Sequence, residues 1–147
     1  MSRRTIAIAA ALSVLALGSP LITVNANPLA RQYFNQGVEK YEAGNSQGAI
    51  ADFTKAIEIN PQDAGAYSNR GSAKDDLGDY QGAIVDYDKA LEINPQYALA
   101  YYNRGVAKGN LEDYQGEIAD YTKAIELDPQ YTSAYYNRAY TKGVDLG

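Results

Sequence analysis

The 147-residue chain contains no cysteine and no histidine. Zinc sites built from those ligands, a Ser-His-Asp triad, a thiol nucleophile and a histidine-ligated haem are therefore excluded. So is lipid attachment through an N-terminal cysteine. Positive charge is scarce as well, with 13 Lys and Arg against 18 Asp and Glu, a net charge of −5 and a pI near 4.6. Nucleic acid and anionic lipid both require a basic surface, so neither is an expected partner. The balance suits partners that are basic or largely neutral.

Long apolar runs are also missing, with one short exception. After "MSRR", the stretch Thr5 to Gly18 carries no charge over 14 residues, Pro20 interrupts it, and Val24-Asn25-Ala26 offers small residues at the places a signal peptidase reads. The run falls short of the ~20 residues that cross a bilayer comfortably. Residues 1–26 are thus expected to be a cleaved signal peptide, with an uncleaved N-terminal anchor as the alternative. The expected product, 27–147, is exported to the periplasm or secreted and does not insert in the membrane. Without Arg3 and Arg4 it holds 11 basic residues against 18 acidic ones, a net charge of −7.

The rest of the chain repeats. Ala64–Tyr97 and Ala98–Tyr131 align without a gap at 22 of 34 positions. Residues 30–63 share the register, and 132–147 begin a fourth copy that covers about half a unit. Each unit reads as two helices. Asp79 and Asp113 are placed to cap the second helix, and Asn60-Pro61, Asn94-Pro95 and Asp128-Pro129 close it. Ile84, Tyr87, Ala90 and Leu91 recur at helical spacing. Stacked helix–turn–helix units that complete one another's core predict an all-α solenoid.

The unit carries an aromatic at its fourth place (Tyr33, Tyr67, Tyr101, Tyr135) and Gly or Ala at its eighth (Gly37, Gly71, Gly105, Ala139). Alanine follows at the twentieth in Ala49 and Ala83, and an aromatic at the twenty-fourth in Phe53, Tyr87 and Tyr121. Ala56, Ala90 and Ala124 stand at the twenty-seventh, and Pro61, Pro95 and Pro129 at the thirty-second. This pattern resembles the tetratricopeptide repeat. The resemblance implies a right-handed superhelical α-solenoid without enzymatic activity or cofactor, which binds a protein or an extended peptide in its concave groove. Two departures fall in the third unit, where Glu112 replaces Gly44 and Gly78, and Glu117 replaces Ala49 and Ala83. Glu117 is expected to reach solvent or Lys108, and the third repeat to be locally weaker.

Asn-Arg pairs recur in the first helices. A buried guanidinium needs a carboxylate partner. Asp52, Asp86 and Asp120 precede Arg70, Arg104 and Arg138 by 18 residues. Pairing each Asp with the Arg of the next unit leaves neither side over, so inter-repeat pairs Asp52–Arg70, Asp86–Arg104 and Asp120–Arg138 are expected. Lys74, Lys108 and Lys142, four residues after each Arg, are read as stems over apolar surface with their ammonium groups in water.

The asparagines form a complete row: Asn35, Asn69, Asn103 and Asn137. One residue from the Arg is about 100° around the helix, toward the inner face. An amide both donates and accepts, which suits the backbone of an extended peptide. The row resembles the asparagine ladder of some tetratricopeptide proteins, although a solvated face or bonds to the neighbouring helix would account for it too. Phe34, Leu99, Tyr102, Val106, Tyr136 and Tyr140 are expected to line the same face and hold side chains, beside Val38, Tyr41, Ser68, Ser72 and Asp75. Tyr67, Tyr87, Tyr101, Tyr121 and Tyr135 are assigned to the core. The carboxylate clamp of chaperone-binding members is not reproduced, because Phe34, Val38 and Leu99 stand where polar groups are needed. A second possibility is self-association through the edge from Tyr140 to Leu146.

Overall fold

The computed structural model describes residues 27–145, and the segment assigned to export lies outside them. Seven α-helices follow one another among the described residues: α1 (Pro28–Glu42), α2 (Ser46–Ile59), α3 (Ala64–Asp76), α4 (Tyr80–Ile93), α5 (Ala98–Asn110), α6 (Tyr114–Leu127) and α7 (Thr132–Asp145). They make three antiparallel pairs and a half unit. Each helix packs on its neighbours in the chain, and first helices of successive units also touch. The arrangement is an α-solenoid, and none of the described helices is long and apolar enough to cross a membrane.

Local chemistry sets the helix ends. The side chains of Asn27, Asn45, Asp63, Asp79 and Asp113 accept hydrogen bonds from backbone N–H groups in the first turns of α1, α2, α3, α4 and α6. Each satisfies one of the donors that a helix start leaves open. After each second helix, Asn60, Asn94 and Asp128 accept from the N–H of Gln62, Gln96 and Gln130, so the Asx-Pro turn repeats with its own internal bond. The turn between paired helices needs a left-handed residue. Gly44 and Gly78 supply it at φ of 77° and 79°, whereas Glu112 is forced to 62°. For a residue with a Cβ that conformation costs about 1–2 kcal/mol. The departure read at Glu112 is thus a strained turn.

Inside each pair, a glycine lets an aromatic ring lie flat on the backbone of the first helix. A Cβ on Gly37, Gly71 or Gly105 would come within 2.7–2.9 Å of the ring of Phe53, Tyr87 or Tyr121. All three rings are essentially sealed from solvent, surrounded by Ala49, Ala56, Ala83, Ala90 and Ala124. The small alanines allow the close approach, and the rings fill the space. Not every tyrosine assigned to the core belongs there. Tyr67 and Tyr101 are half-buried and Tyr135 is exposed, because each lies under the guanidinium of the Arg three residues later, 5.4–5.6 Å from the ring centre.

Glu117 goes to neither of its expected places. It accepts a hydrogen bond from the Tyr121 hydroxyl at 2.9 Å, one turn on in the same helix. Lys108 is engaged elsewhere, on Asp120 at 2.8 Å. The carboxylate fits between the paired helices because α5 has Gly109 opposite it, and a Cβ there would stand 2.6 Å from the Glu117 carboxyl carbon. The sibling position holds Tyr41 or Asp75. Repeat three has exchanged bulk across the pair, Glu for Ala on one side and Gly for a larger residue on the other.

Candidate functional site: the concave face of the first helices

The Arg residues belong to the frame, but their pairing differs from the expected one. Arg70 donates from Nε and Nη2 to Asp86 at 2.9 and 2.7 Å. Arg104 does the same to Asp120 at 2.8 and 2.6 Å. Both partners lie within the same repeat, 16 residues later rather than 18 before. The expected pairs Asp52–Arg70, Asp86–Arg104 and Asp120–Arg138 do not form. Asp52 is held by Lys40, in the unit that has Gln36 where the others have Arg. Asp86 and Asp120 likewise receive Lys74 and Lys108 at 2.8 Å, so these three ammonium groups hold buried carboxylates instead of standing in water.

The link between repeats exists through the third guanidinium nitrogen. Nη1 of Arg70 donates to Thr54 Oγ1 at 3.1 Å, that of Arg104 to Asp88 at 2.6 Å, and that of Arg138 to Thr122 Oγ1 at 3.3 Å. Thr54, Asp88 and Thr122 share one place in successive second helices. Arg138 has no second helix of its own unit among the described residues, and only this backward bond is formed. Asp120, and then Asp88, raise the pKa of Arg104 and keep it charged.

With the charged frame assigned, the inner face remains. Asn103 donates from Nδ2 to Ser72 Oγ at 3.4 Å and Asn137 to the Tyr102 hydroxyl at 3.0 Å. Each bond runs back to the first helix of the preceding unit. Each amide keeps its carbonyl oxygen and a second N–H. Asn35 is exposed and Asn69 half-buried.

Three concavities follow this row. One holds Phe34 and Asn35, the next Tyr102, Asn103 and Val106, and the last Val106, Asn137 and Tyr140. Phe34 is half sunk, edge-on to Phe53 with ring centres 5.8 Å apart. Tyr102 lies against Tyr121 at 5.5 Å and Tyr131 at 4.9 Å. Both offer an edge rather than a whole ring. Leu99, Tyr136 and Tyr140 are more open, at 44%, 72% and 68% exposure. Leu99 stands outside all three concavities. Tyr136 occupies the place of Phe34 and Tyr102 on a helix whose own second helix is absent among the described residues.

The middle concavity has a composition that simple periodicity does not advertise. Tyr41, Asp75, Asp76 and the Tyr87 hydroxyl join Ser72, Tyr102, Asn103 and Val106 in its wall. Ser72 and Tyr87 share a hydrogen bond of 3.1 Å. Burial, followed by the nearby Asp76 carboxylate, pushes the Tyr41 hydroxyl up to about 12. Burial and then Asp76 raise the pKa of Asp75. The signal in the sequence was Ser68 and Ser72, small where the flanking units have Phe34 and Val38, or Tyr102 and Val106.

Comparison with known proteins gives a consistent result. A family model described as TPR repeat matches residues 37–74 and 76–112, and one described as tetratricopeptide repeat matches 98–131. No curated protein matches the sequence. Among solved structures, the first TPR of Spaghetti (RPAP3) bound to the HSP90 peptide SRMEEVD superposes with a TM-score of 0.82 at 24% identity, over 85% of this chain and 99% of that one. The Arabidopsis OM64 TPR domain gives 0.78 at 28% identity, over 79% and 96%. The first TPR domain of human RPAP3 gives 0.76 at 26%, over 78% and 91%.

Proposed function

We propose that this chain, which belongs to the tetratricopeptide repeat family, is a non-enzymatic interaction module that lays an extended segment of a partner protein along its concave face. The observation that carries the proposal is the coincidence of the asparagine row with the three concavities, each of which joins a ladder Asn to an aromatic neighbour. Packed helices sit ~10 Å apart and an extended chain rises ~3.3 Å per residue. One Asn therefore meets the bound backbone about every third residue, and Phe34, Tyr102, Val106 and Tyr140 receive side chains between. The Spaghetti domain with its HSP90 peptide is a precedent for peptide binding on this fold. A peptide of that acidic kind suits this groove poorly, because its wall carries Asp75, Asp76 and Glu117 while Lys40, Lys74 and Lys108 are committed to buried aspartates.

The test is affinity capture with the full chain and with a variant carrying Ala at Asn35, Asn69, Asn103 and Asn137, both checked for helicity. A partner retained by the first and lost by the second is the expected result. Equal retention would sink the proposal.

A second reading has its own observation. Tyr136 and Tyr140, at 72% and 68% exposure, form an apolar edge on α7 that supports self-association. Sedimentation at high concentration distinguishes the two, since a monomer disfavours assembly. We also propose export, with cleavage after Ala26. Mass spectrometry of the exported protein should find Asn27 as the first residue, and an intact N-terminus would support the anchor instead.

A further inference from the structure

We propose that the cavity between the second and third repeats is a subsite for one basic side chain, lysine or arginine, of the bound segment. The inference rests on the groove reading above and adds the charge of what the groove selects. Asp75 Oδ1 is sealed from solvent and accepts no hydrogen bond. A buried carboxylate oxygen without a partner is expensive, and Asp76 adds repulsion from the adjacent position. A second orphan lies in the same helix, one turn before Ser72: Ser68 Oγ, on a residue only 1% exposed, also lacks a partner. A fold gains nothing from these groups while the cavity is empty.

The cavity measures about 260 Å³. That is below the ~300 Å³ at which pockets for whole small molecules begin, and it suits a single side chain. It exists because Ser68 and Ser72 replace the aromatic and valine of the flanking units, so two turns of α3 are cut back while Tyr41 and Tyr102 stand as walls. No basic residue lines it. A guanidinium or ammonium would supply donors to Asp75 and offset the Asp75–Asp76 repulsion, with aromatic walls that attract a cation. Asn103, at the rim, would hold the backbone that delivers it. No cluster of three or more metal-ligating side chains occurs among the described residues, which leaves an organic cation as the fitting occupant.

The test is amide chemical-shift titration of the full chain with N-acetyl-arginine methylamide, compared with the citrulline counterpart, equal in shape but neutral. The arginine probe should shift the Ser72 amide and the Asn103 side-chain amide saturably at millimolar concentration, and citrulline should bind about tenfold more weakly or worse. Asp75→Asn should abolish the difference between the probes. Ser72→Val, which fills the cavity without touching the carboxylate, should abolish binding. The proposal is overturned by an arginine probe that causes no saturable shift, by equal binding of citrulline, or by unchanged discrimination in both variants. Because the probe has no extended backbone, its failure counts against this subsite alone, and the asparagine variants test the groove.

Discussion

Arg104 grips Asp120 of its own repeat with Nε and Nη2 at 2.8 and 2.6 Å while its Nη1 holds Asp88 of the preceding repeat at 2.6 Å. One side chain thus closes a helical hairpin and ties it to the unit before. Asp120 is nearly sealed from solvent whereas Asp88 is exposed, so the two contacts differ in worth. Breaking a buried pair from one side leaves an uncompensated charge, at a cost of about 3–5 kcal/mol. An exposed pair contributes about 0–1 kcal/mol. Arg104→Ala should therefore cost about 3 kcal/mol in urea unfolding, the lower end because Lys108 still faces Asp120. A double-mutant cycle of Arg104 with Asp120 should show strong coupling, and a cycle with Asp86 almost none.

Glu112 offers the opposite sign. At φ 62° it occupies a conformation that Gly44 and Gly78 adopt freely in the sibling turns. Glu112→Gly removes a strain of about 1–2 kcal/mol and gives back part of it through the freer unfolded chain. Thermal unfolding should show a net gain of about 0.5–1 kcal/mol. A loss would mean that the turn relaxes around glutamate in solution.

Gly105 tests the ring-on-backbone contact. An added methyl would stand 2.9 Å from the Tyr121 ring, itself braced by Tyr102. Gly105→Ala should cost about 1–3 kcal/mol as overpacking, despite the better helix propensity of alanine. The same position in the fourth unit is already Ala139 and is exposed, with no ring laid over it. Ala139→Gly should then lose only about 1 kcal/mol, as an ordinary helix-interior glycine does.

Asp75 gives a pH signature. Its folded pKa is raised above the ordinary carboxylate value by burial and by Asp76, so the folded state favours the proton more than the unfolded chain does. The contribution is favourable below the unfolded pKa and is lost as pH rises through the folded one. Asp75→Asn should therefore stabilise the unliganded protein at neutral pH and make little difference at pH well below the carboxylate range. Urea midpoints across that range check it, and a variant less stable at neutral pH would contradict the assignment of Asp75 as an unpaired charge.

The helices and their order were legible because a 34-residue period fixes lengths, turns and the apolar stripe together. Caps at Asp79 and Asp113 followed from the same logic. The partner of Arg104 was not legible. A count of acids and bases favours the arrangement with nothing left over, yet nothing in folding demands that every Asp of a row meet an Arg. Asp52 shows why, since Lys40 substitutes from the next turn of the helix. Glu117 was misplaced for a related reason. Its fit depends on Gly109, a compensation visible only when positions in the two paired helices are read against each other. The asparagine row was found, but the reuse of Asn103 and Asn137 as ties to the previous first helix requires distances.

In this solenoid each helix leans on those beside it in the chain. Mechanically it is a stack of hinged plates with no strut from end to end. A rupture in the strained third unit would leave the first standing, and news of it would travel one interface at a time. A guest lying across several units at once would bridge interfaces that the chain itself does not cross-brace. It would act as a splint, and the stiffness of the whole would then be borrowed from what it holds.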